Sequence, residues 1–488
     1  VPADFFPKSV ELLRFLPEIV LTVVGTLLMV LESIGGQRWS RLYGNLSLAG
    51  LGGALAAAVS AYGSPGPAFS GMLIADGFGA FFRVLVIGVG ILTVLASYRY
   101  LGREGVDTGE YHALILFSIV GQCVMVTAND LIMIFIGLEI SSIASYVLAG
   151  YLRDDKRNNE SALKYFLLGS FATAFLLYGI AWIYGLTKST DLTTIRGVLL
   201  SHDAAVSPIL VAVSAALMLV GLGFKVSGAP FQIWAPDVYQ GAPAPVSAFM
   251  SAGPKAAAFA VFLRIFMTAF APIGSGWEPL VWLSALLSMT VGNFAALTQS
   301  NIKRLLAYSS IAHAGYVLVA VSARSETGTA AAMFYLAAYA LMNVGAFAVV
   351  THLSGKGERF VGVDDFAGLA ERQPFTAALL TIFLLSLIGV PLTGGFFGKF
   401  YIFKAALESH LVWLTVLGLL NSAVAAYYYL RILVVMYMHE PSEAASAAEP
   451  LSAGMKGALV LPAIGTFILG VFPSALLAFA TKSAVLVR

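Results

Sequence analysis

Six ionisable residues lie inside apolar stretches of this chain. Glu139 sits in the middle of LIMIFIGLEISSIASYVL, and Lys164 lies one turn into the next apolar run. Lys225 ends another run, just before SGAP. Lys255 is embedded in PAPVSAFMSAGPKAAAFAVFLRIF, His313 in NIKRLLAYSSIAHAGY and Lys399 in TGGFFGKFYIFKAAL. A charge at the centre of a spanning helix costs ~2.5–3.5 kcal/mol, so six unpaired groups would cost on the order of 15–20 kcal/mol. They must face one another or a hydrated cavity. The chemistry open to such a set is proton relay. A buried amine can gain and lose a proton near neutral pH, whereas a guanidinium stays charged. Four interior lysines with no chain of interior arginines fit relay better than structural pairing. Glu139 and Lys225 read as a pair; at roughly 6 Å and an effective dielectric of about 20 they would attract by about 3 kcal/mol. Loosening that pair would bias where a proton rests.

Other charges read as structural. Lys404 shares a helix with Lys399 and can snorkel to an interface, an option Lys164 shares. Glu18, in LPEIVL, reads as a packing charge, and Asp237 and Arg431 as membrane-end anchors or loop contacts. The half-helix that ends near Lys225 leaves unpaired carbonyls, a negative dipole end that favours an ammonium.

The elements that must hold these groups are membrane spans. Of 488 residues, 59% are hydrophobic and only 11% charged; soluble proteins carry about 25% charged residues. The net charge of +2 leaves no footprint for nucleic acid. The one cysteine, Cys123, rules out a disulfide framework or a cysteine metal cluster. GLG at 221–223 follows a helical run rather than a strand, and TGGFFGKF lacks the Ser/Thr of a phosphate loop. The N-terminal VPADFFPKSVELL has no basic leader, so the first apolar run reads as a mature span.

A window of about 20 residues predicts roughly fourteen spans. They fall near 12–34, 42–62, 76–98, 111–128, 130–151, 160–186, 206–225, 243–271, 277–298, 302–322, 328–353, 375–408, 411–438 and 455–481. Residues 226–239 and 391–398, rich in Gly and Pro, read as breaks in two discontinuous helices, tolerated only inside a protein-lined cavity. SSIASY at 141–146 returns as SSIAHAGY at 309–316, YFLLG at 165–169 as FYLAA at 334–338, and SGAPF at 227–231 as TGGFF at 393–397. Offsets all close to 167 residues suggest two five-helix units, 111–272 and 273–438, the second inverted because five is odd. A three-helix segment, 1–110, precedes them, and a loop with a last helix, 439–488, follows. Lys and Arg crowd the loops after odd-numbered spans, including Arg38, Arg41, Arg99, Arg103, Arg153, Lys303, Lys356 and Arg359. Those loops are therefore expected in the cytoplasm and both termini outside.

At these residues the chain resembles the subunit N family of bacterial respiratory complex I, the proton-pumping NADH–quinone oxidoreductase. GLEISSIASYVLAGYLR, ESALKYFLLGSFATAFLLYG, GFKVSGAPFQIWAPDVYQGAPAPVSAF, YALMNVGAFAVV, GVPLTGGFFGKFYIF and AVAAYYYLR carry the resemblance from about 70 to 440. It implies an all-α polytopic fold and proton translocation through Glu139, Lys164, Lys225, Lys255, His313 and Lys399. Sister subunit M usually has glutamate where Lys399 stands. Sister subunit L adds a long lateral helix, whereas this sequence ends at Arg488. The resemblance also implies no redox cofactor here, with NADH, FMN, iron–sulfur clusters and quinone held by partner subunits. It implies other membrane-arm subunits, the lipid bilayer and protons as partners, and the bacterial inner membrane as location. A subunit of a multi-subunit cation/proton antiporter is the alternative.

Overall fold

The computed structural model describes residues 7–201, 206–447 and 449–486; the leading VPADFF and Arg488 lie outside them. The long helices are α1 (Leu16–Gly35), α2 (Ser40–Tyr62), α3 (Gly77–Glu104), α4 (Gly109–Thr127), α5 (Leu131–Ala149) and α6 (Lys156–Thr187). Helix α7 (Pro208–Val226) and the short α8 (Ala235–Gly241) flank the first break, and α9 (Ala244–Arg264), α10 (Gly274–Leu297), α11 (Ile302–Ser322) and α12 (Glu326–Leu353) follow. Helices α13 (Pro374–Ile388) and α14 (Gly394–Glu408) flank the second break; α15 (Val412–Met438) and α16 (Ala453–Val471) complete the bundle. Among the described residues the only sheet is a two-stranded antiparallel ribbon, Gly66–Ala68 with Leu73–Ala75.

Twelve stretches are long and apolar enough to cross a membrane, and one of them, Leu16–Tyr62, holds both α1 and α2. Adding the interrupted stretch α13–α14 gives about fourteen crossings, the all-helical polytopic architecture that hydropathy predicts. Burial sorts the helices. The apolar windows of α9, α11 and α12 are each 94% buried, those of α6, α10 and α15 only 39%. Helices apolar on every side therefore form the centre, and the others turn a face to lipid. Lys255 and His313 ride on two of the three central helices.

Several helix starts have a local cause. Asp76, Asp130, Asp155, Asn301 and Ser325 accept first-turn N–H bonds at the starts of α3, α5, α6, α11 and α12. Helix α7 stops where Ser227 turns left-handed, its N–H and that of Gly228 closing on the carbonyls of Phe224 and Gly223. Two serines of α10 satisfy the exposed backbone beyond: Ser288 accepts the Ala229 N–H at 2.8 Å, and Ser284 donates to its carbonyl at 2.6 Å. Helix α13 stops at Gly389, whose φ of +95° suits glycine alone.

Candidate functional site

Three predicted residues come together in the core. Lys255 is 2% exposed and donates to the Ser310 carbonyl at 3.1 Å and to the Ser310 hydroxyl. Pro254 beside it lacks an N–H, which loosens the α9 hydrogen-bond ladder at this depth. His313, one turn beyond Ser310 on α11, has a phenol at each ring nitrogen: Tyr335 at Nδ1 and Tyr429 at Nε2, the latter at 3.1 Å. The Tyr429 hydroxyl also meets Ser309. Lys399 is 6% exposed and donates to the carbonyls of Leu387 (3.0 Å) and Ile388 (2.8 Å) and to the Ser422 hydroxyl (2.8 Å). Its ammonium lies 4.8 Å from the Tyr316 ring centre, and the same ring packs edge-on against His313. Between Lys255 and Lys399 thus lie Ser310, its chain neighbour Ser309, Tyr429, His313 and the Tyr316 ring.

Lys225 sits at the edge of this core, half-buried at the end of α7. It donates to the Ser142 hydroxyl at 2.8 Å and to the Tyr146 hydroxyl at 3.0 Å, both on α5. Glu139 and Lys225 make no direct ion-pair contact among the described residues. Glu139 lies on the same helix as Lys225's two partners, yet its Oε1 is buried without a hydrogen bond. The amine's protons go instead to hydroxyls one and two turns past Glu139 on α5.

Lys164 lies apart from the core residues. Its side chain is 40% exposed and pairs with Glu160 at 2.7 Å and Asp237 at 2.8 Å. Asp237 also binds Arg304 of α11 at 2.5 Å, so this predicted loop contact ties α6, α8 and α11 together. Lys404 is 60% exposed and lies 3.8 Å from Glu408.

The sequence reading missed three buried ion pairs. Arg83 forks onto Glu18 at 2.9 and 2.6 Å, both side chains sealed from solvent. Arg264 holds Asp76 at 3.0 Å through two nitrogens and also binds the Val126 carbonyl. Lys303 is fully buried and reaches Glu358 at 2.5 Å. Glu18 and Arg83 were legible as opposite charges inside the first and third spans. Lys303 was not, because it sits at a helix start where the charge bias marks it as a loop residue. The phenols were hidden too, since a tyrosine in an apolar run reads as packing. No group of three His, Cys, Asp or Glu side chains suited to a metal ion occurs among the described residues.

Comparison with known proteins gives this arrangement a family. Residues 128–425 match the family described as NADH:quinone oxidoreductase/Mrp antiporter, TM. The NADH-quinone oxidoreductase subunit N 1 of Solibacter usitatus is 71% identical, over 97% of this chain and 97% of its own length. A chain of respiratory complex I from Thermus thermophilus, solved with bound aureothin, is 34% identical; the match covers 95% of this chain and 99% of that one, with a TM-score of 0.82. A chain of the Mrp complex from Dietzia sp. shares the fold alone, at 21% identity and a TM-score of 0.83. The chain belongs to the NADH:quinone oxidoreductase/Mrp antiporter transmembrane family, among its subunit N members.

Proposed function

We propose that this chain is a proton-translocating membrane subunit of an NADH–quinone oxidoreductase, and that its protons travel along Lys225, Lys255, His313 and Lys399. The observation that carries the reading is a buried row of neighbouring groups: Lys255 on Ser310, the adjacent Ser309 on Tyr429, Tyr429 on His313, and the Tyr316 ring against both His313 and Lys399. Groups buried in this way cost stability and are retained where they act. His313 explains how a proton would pass. A neutral imidazole donates at one nitrogen and accepts at the other. With a phenol at each nitrogen, one proton moving through the ring reverses both hydrogen bonds and leaves the imidazole in its other tautomer. Glu139 acts when α5 and α7 shift enough to bring its unpaired oxygen towards Lys225. Lys164, through Asp237 and Arg304, joins the first unit to α11 and responds to that shift.

In this reading the helices form two inverted five-helix units, 111–272 and 273–438, after a three-helix segment, 1–110. The two interrupted helices occupy matching places in the units. The chain carries no redox centre of its own; NADH, FMN, iron–sulfur clusters and quinone belong to partner subunits, and neighbouring membrane-arm subunits deliver the driving signal. The location is the bacterial inner membrane, with both termini outside, as the Lys/Arg bias of the loops supports.

The test is Lys255→Ala in the whole oxidoreductase, reconstituted in sealed vesicles. Electron transfer is followed by NADH oxidation and proton uptake by a pH-sensitive dye. The expected outcome is an assembled complex in which the protons moved per NADH fall. An unchanged ratio would mean that this file is structural.

A further inference from the structure

A second polar feature lies away from the lysine file, at the end of the bundle where α3 and α12 finish. A cavity of about 300 Å³ is lined there by Arg99, Arg103, Lys356, Arg359, Glu449 and Phe360, among others. Four cations meet two carboxylates. Glu449 pairs with Arg99, and Glu104 lies 3.5 Å from Arg103. Lys356 and Arg359 have neither a hydrogen bond nor an ion pair; Arg359 only stacks on the Phe360 ring at 5.4 Å.

The loop that carries this unpaired pair is otherwise fully tied down. Glu104 accepts the Gly357 N–H at 3.1 Å, and Arg157 donates to the Gly357 carbonyl at 3.0 Å. Arg103 donates to Ser354 at 2.8 Å. Glu358 turns inward, where it accepts from Tyr100, from the Ala244 N–H and from Lys303. Left-handed turns at Gly355, Gly357 and Glu358 let the backbone alternate its side chains, one carboxylate in and two cations out. An ordinary solvated loop has no need of so many anchors. This one fixes two uncompensated cations over a cavity whose other wall is apolar, through Leu353, Ala444, Ala447 and Met455.

We propose that this cavity binds a phosphate group, and that its occupant is the headgroup of an anionic membrane lipid. Guanidinium and ammonium groups converging between membrane helices are the chemistry that recognises lipid phosphate. The apolar wall suits the first carbons of the acyl chains. Phosphate free in solution offers the same anion without those carbons, so the two sources can be separated. The inference stands apart from the lysine file and holds whether or not that file conducts.

The experiment compares the intact oxidoreductase with a Lys356→Gln/Arg359→Gln version and with an Arg38→Gln/Arg41→Gln control, which removes equal charge from another exposed site, around the start of α2. Each is placed in nanodiscs of phosphatidylcholine containing a small fraction of phosphatidylglycerol. Lipids retained after detergent extraction are counted by native mass spectrometry, with and without inorganic phosphate as competitor. Co-purification of the partner subunits verifies assembly. Two cations near a lipid surface correspond to about thirtyfold in affinity. The expected result is a phosphatidylglycerol kept by the parent and by the control and lost from the Lys356/Arg359 version. Displacement by inorganic phosphate at concentrations near that of the lipid would support the phosphate site but assign it to a free anion. Equal lipid retention in all three complexes, with no response to phosphate, would overturn the proposal.

Discussion

The two interrupted helices solve the same problem in opposite ways. At the first break, the chain's own backbone and the Trp234 indole close the exposed end of α7: Gly228 bonds Gly223, Ser227 bonds Phe224, and Trp234 donates to the Phe224 carbonyl at 3.0 Å. Lys225 is left to reach sideways to two hydroxyls of α5. At the second break, the carbonyls of Leu387 and Ile388 at the end of α13 are closed by Lys399 itself, reaching back from α14. An ammonium has three N–H donors, and Lys399 uses all three. A neutral amine has two, which can stay on the carbonyls while the Ser422 hydroxyl turns to donate to the amine's lone pair. Lys225 can likewise lose a proton and keep both partners. The contrast teaches that the second break depends on its lysine to close the backbone, whereas the first closes without one.

The largest test of that contrast is a pair of alanine substitutions. Lys399→Ala strips two buried carbonyls of their donor, at about 1–3 kcal/mol each. Lys225→Ala leaves only hydroxyls, which can rotate to other partners. Both should abolish proton pumping, but only Lys399→Ala should also lower the melting temperature of the membrane domain clearly. Equal destabilisation by the two would erase the distinction. Lys399→Arg sharpens it: the guanidinium can still cap the carbonyls, so melting should recover while pumping does not.

How much of this could be read from sequence divides along the same line. Both breaks were visible as Gly/Pro clusters inside apolar runs, and the six ionisable residues stood out because lipid makes charge conspicuous. The partners were not visible. Nothing in GVPLTGGFFGKF says that Lys399 turns back onto α13 rather than towards a carboxylate, because that depends on how α13 and α14 cross. Nor does the sequence say that the Lys225 amine bonds Ser142 and Tyr146 rather than touching Glu139, because that depends on where the end of α7 meets α5. The buried Lys303–Glu358 pair was obscured because both residues lie in segments that composition assigns to loops.

A smaller effect is expected at Gly389. Its φ of +95° is one an L side chain rarely adopts, and a Cβ there would sit 3.2 Å from the Lys399 Cδ. Gly389→Ala should cost about 1–2 kcal/mol in backbone strain alone and push the lysine off its carbonyls. Proton pumping should fall several-fold while NADH oxidation by the assembled complex persists. The matching substitution at the first break, Ser227→Gly, relieves a left-handed serine and should leave pumping close to normal. Similar losses from both would show that the two turns are equally coupled to their lysines.

The smallest effect belongs to Tyr146→Phe. The phenol gives Lys225 one of its two hydrogen bonds and a ring face 5.3 Å from the amine. The substitution removes the bond, worth about 1 kcal/mol, and keeps the ring, which packs edge-on against Tyr165 at 4.7 Å. Ser142 still holds the amine, so the resting position of Lys225 should hardly change. Relief of one competitor should instead let Lys225 swing more readily towards the unpaired oxygen of Glu139. Pumping should therefore change by less than about twofold, and it should become more sensitive to Glu139→Gln than in the parent. A double-mutant cycle in sealed vesicles reads this directly. Strict additivity of Tyr146→Phe and Glu139→Gln would mean that the two residues never compete for the same amine, and that the first break works without the carboxylate.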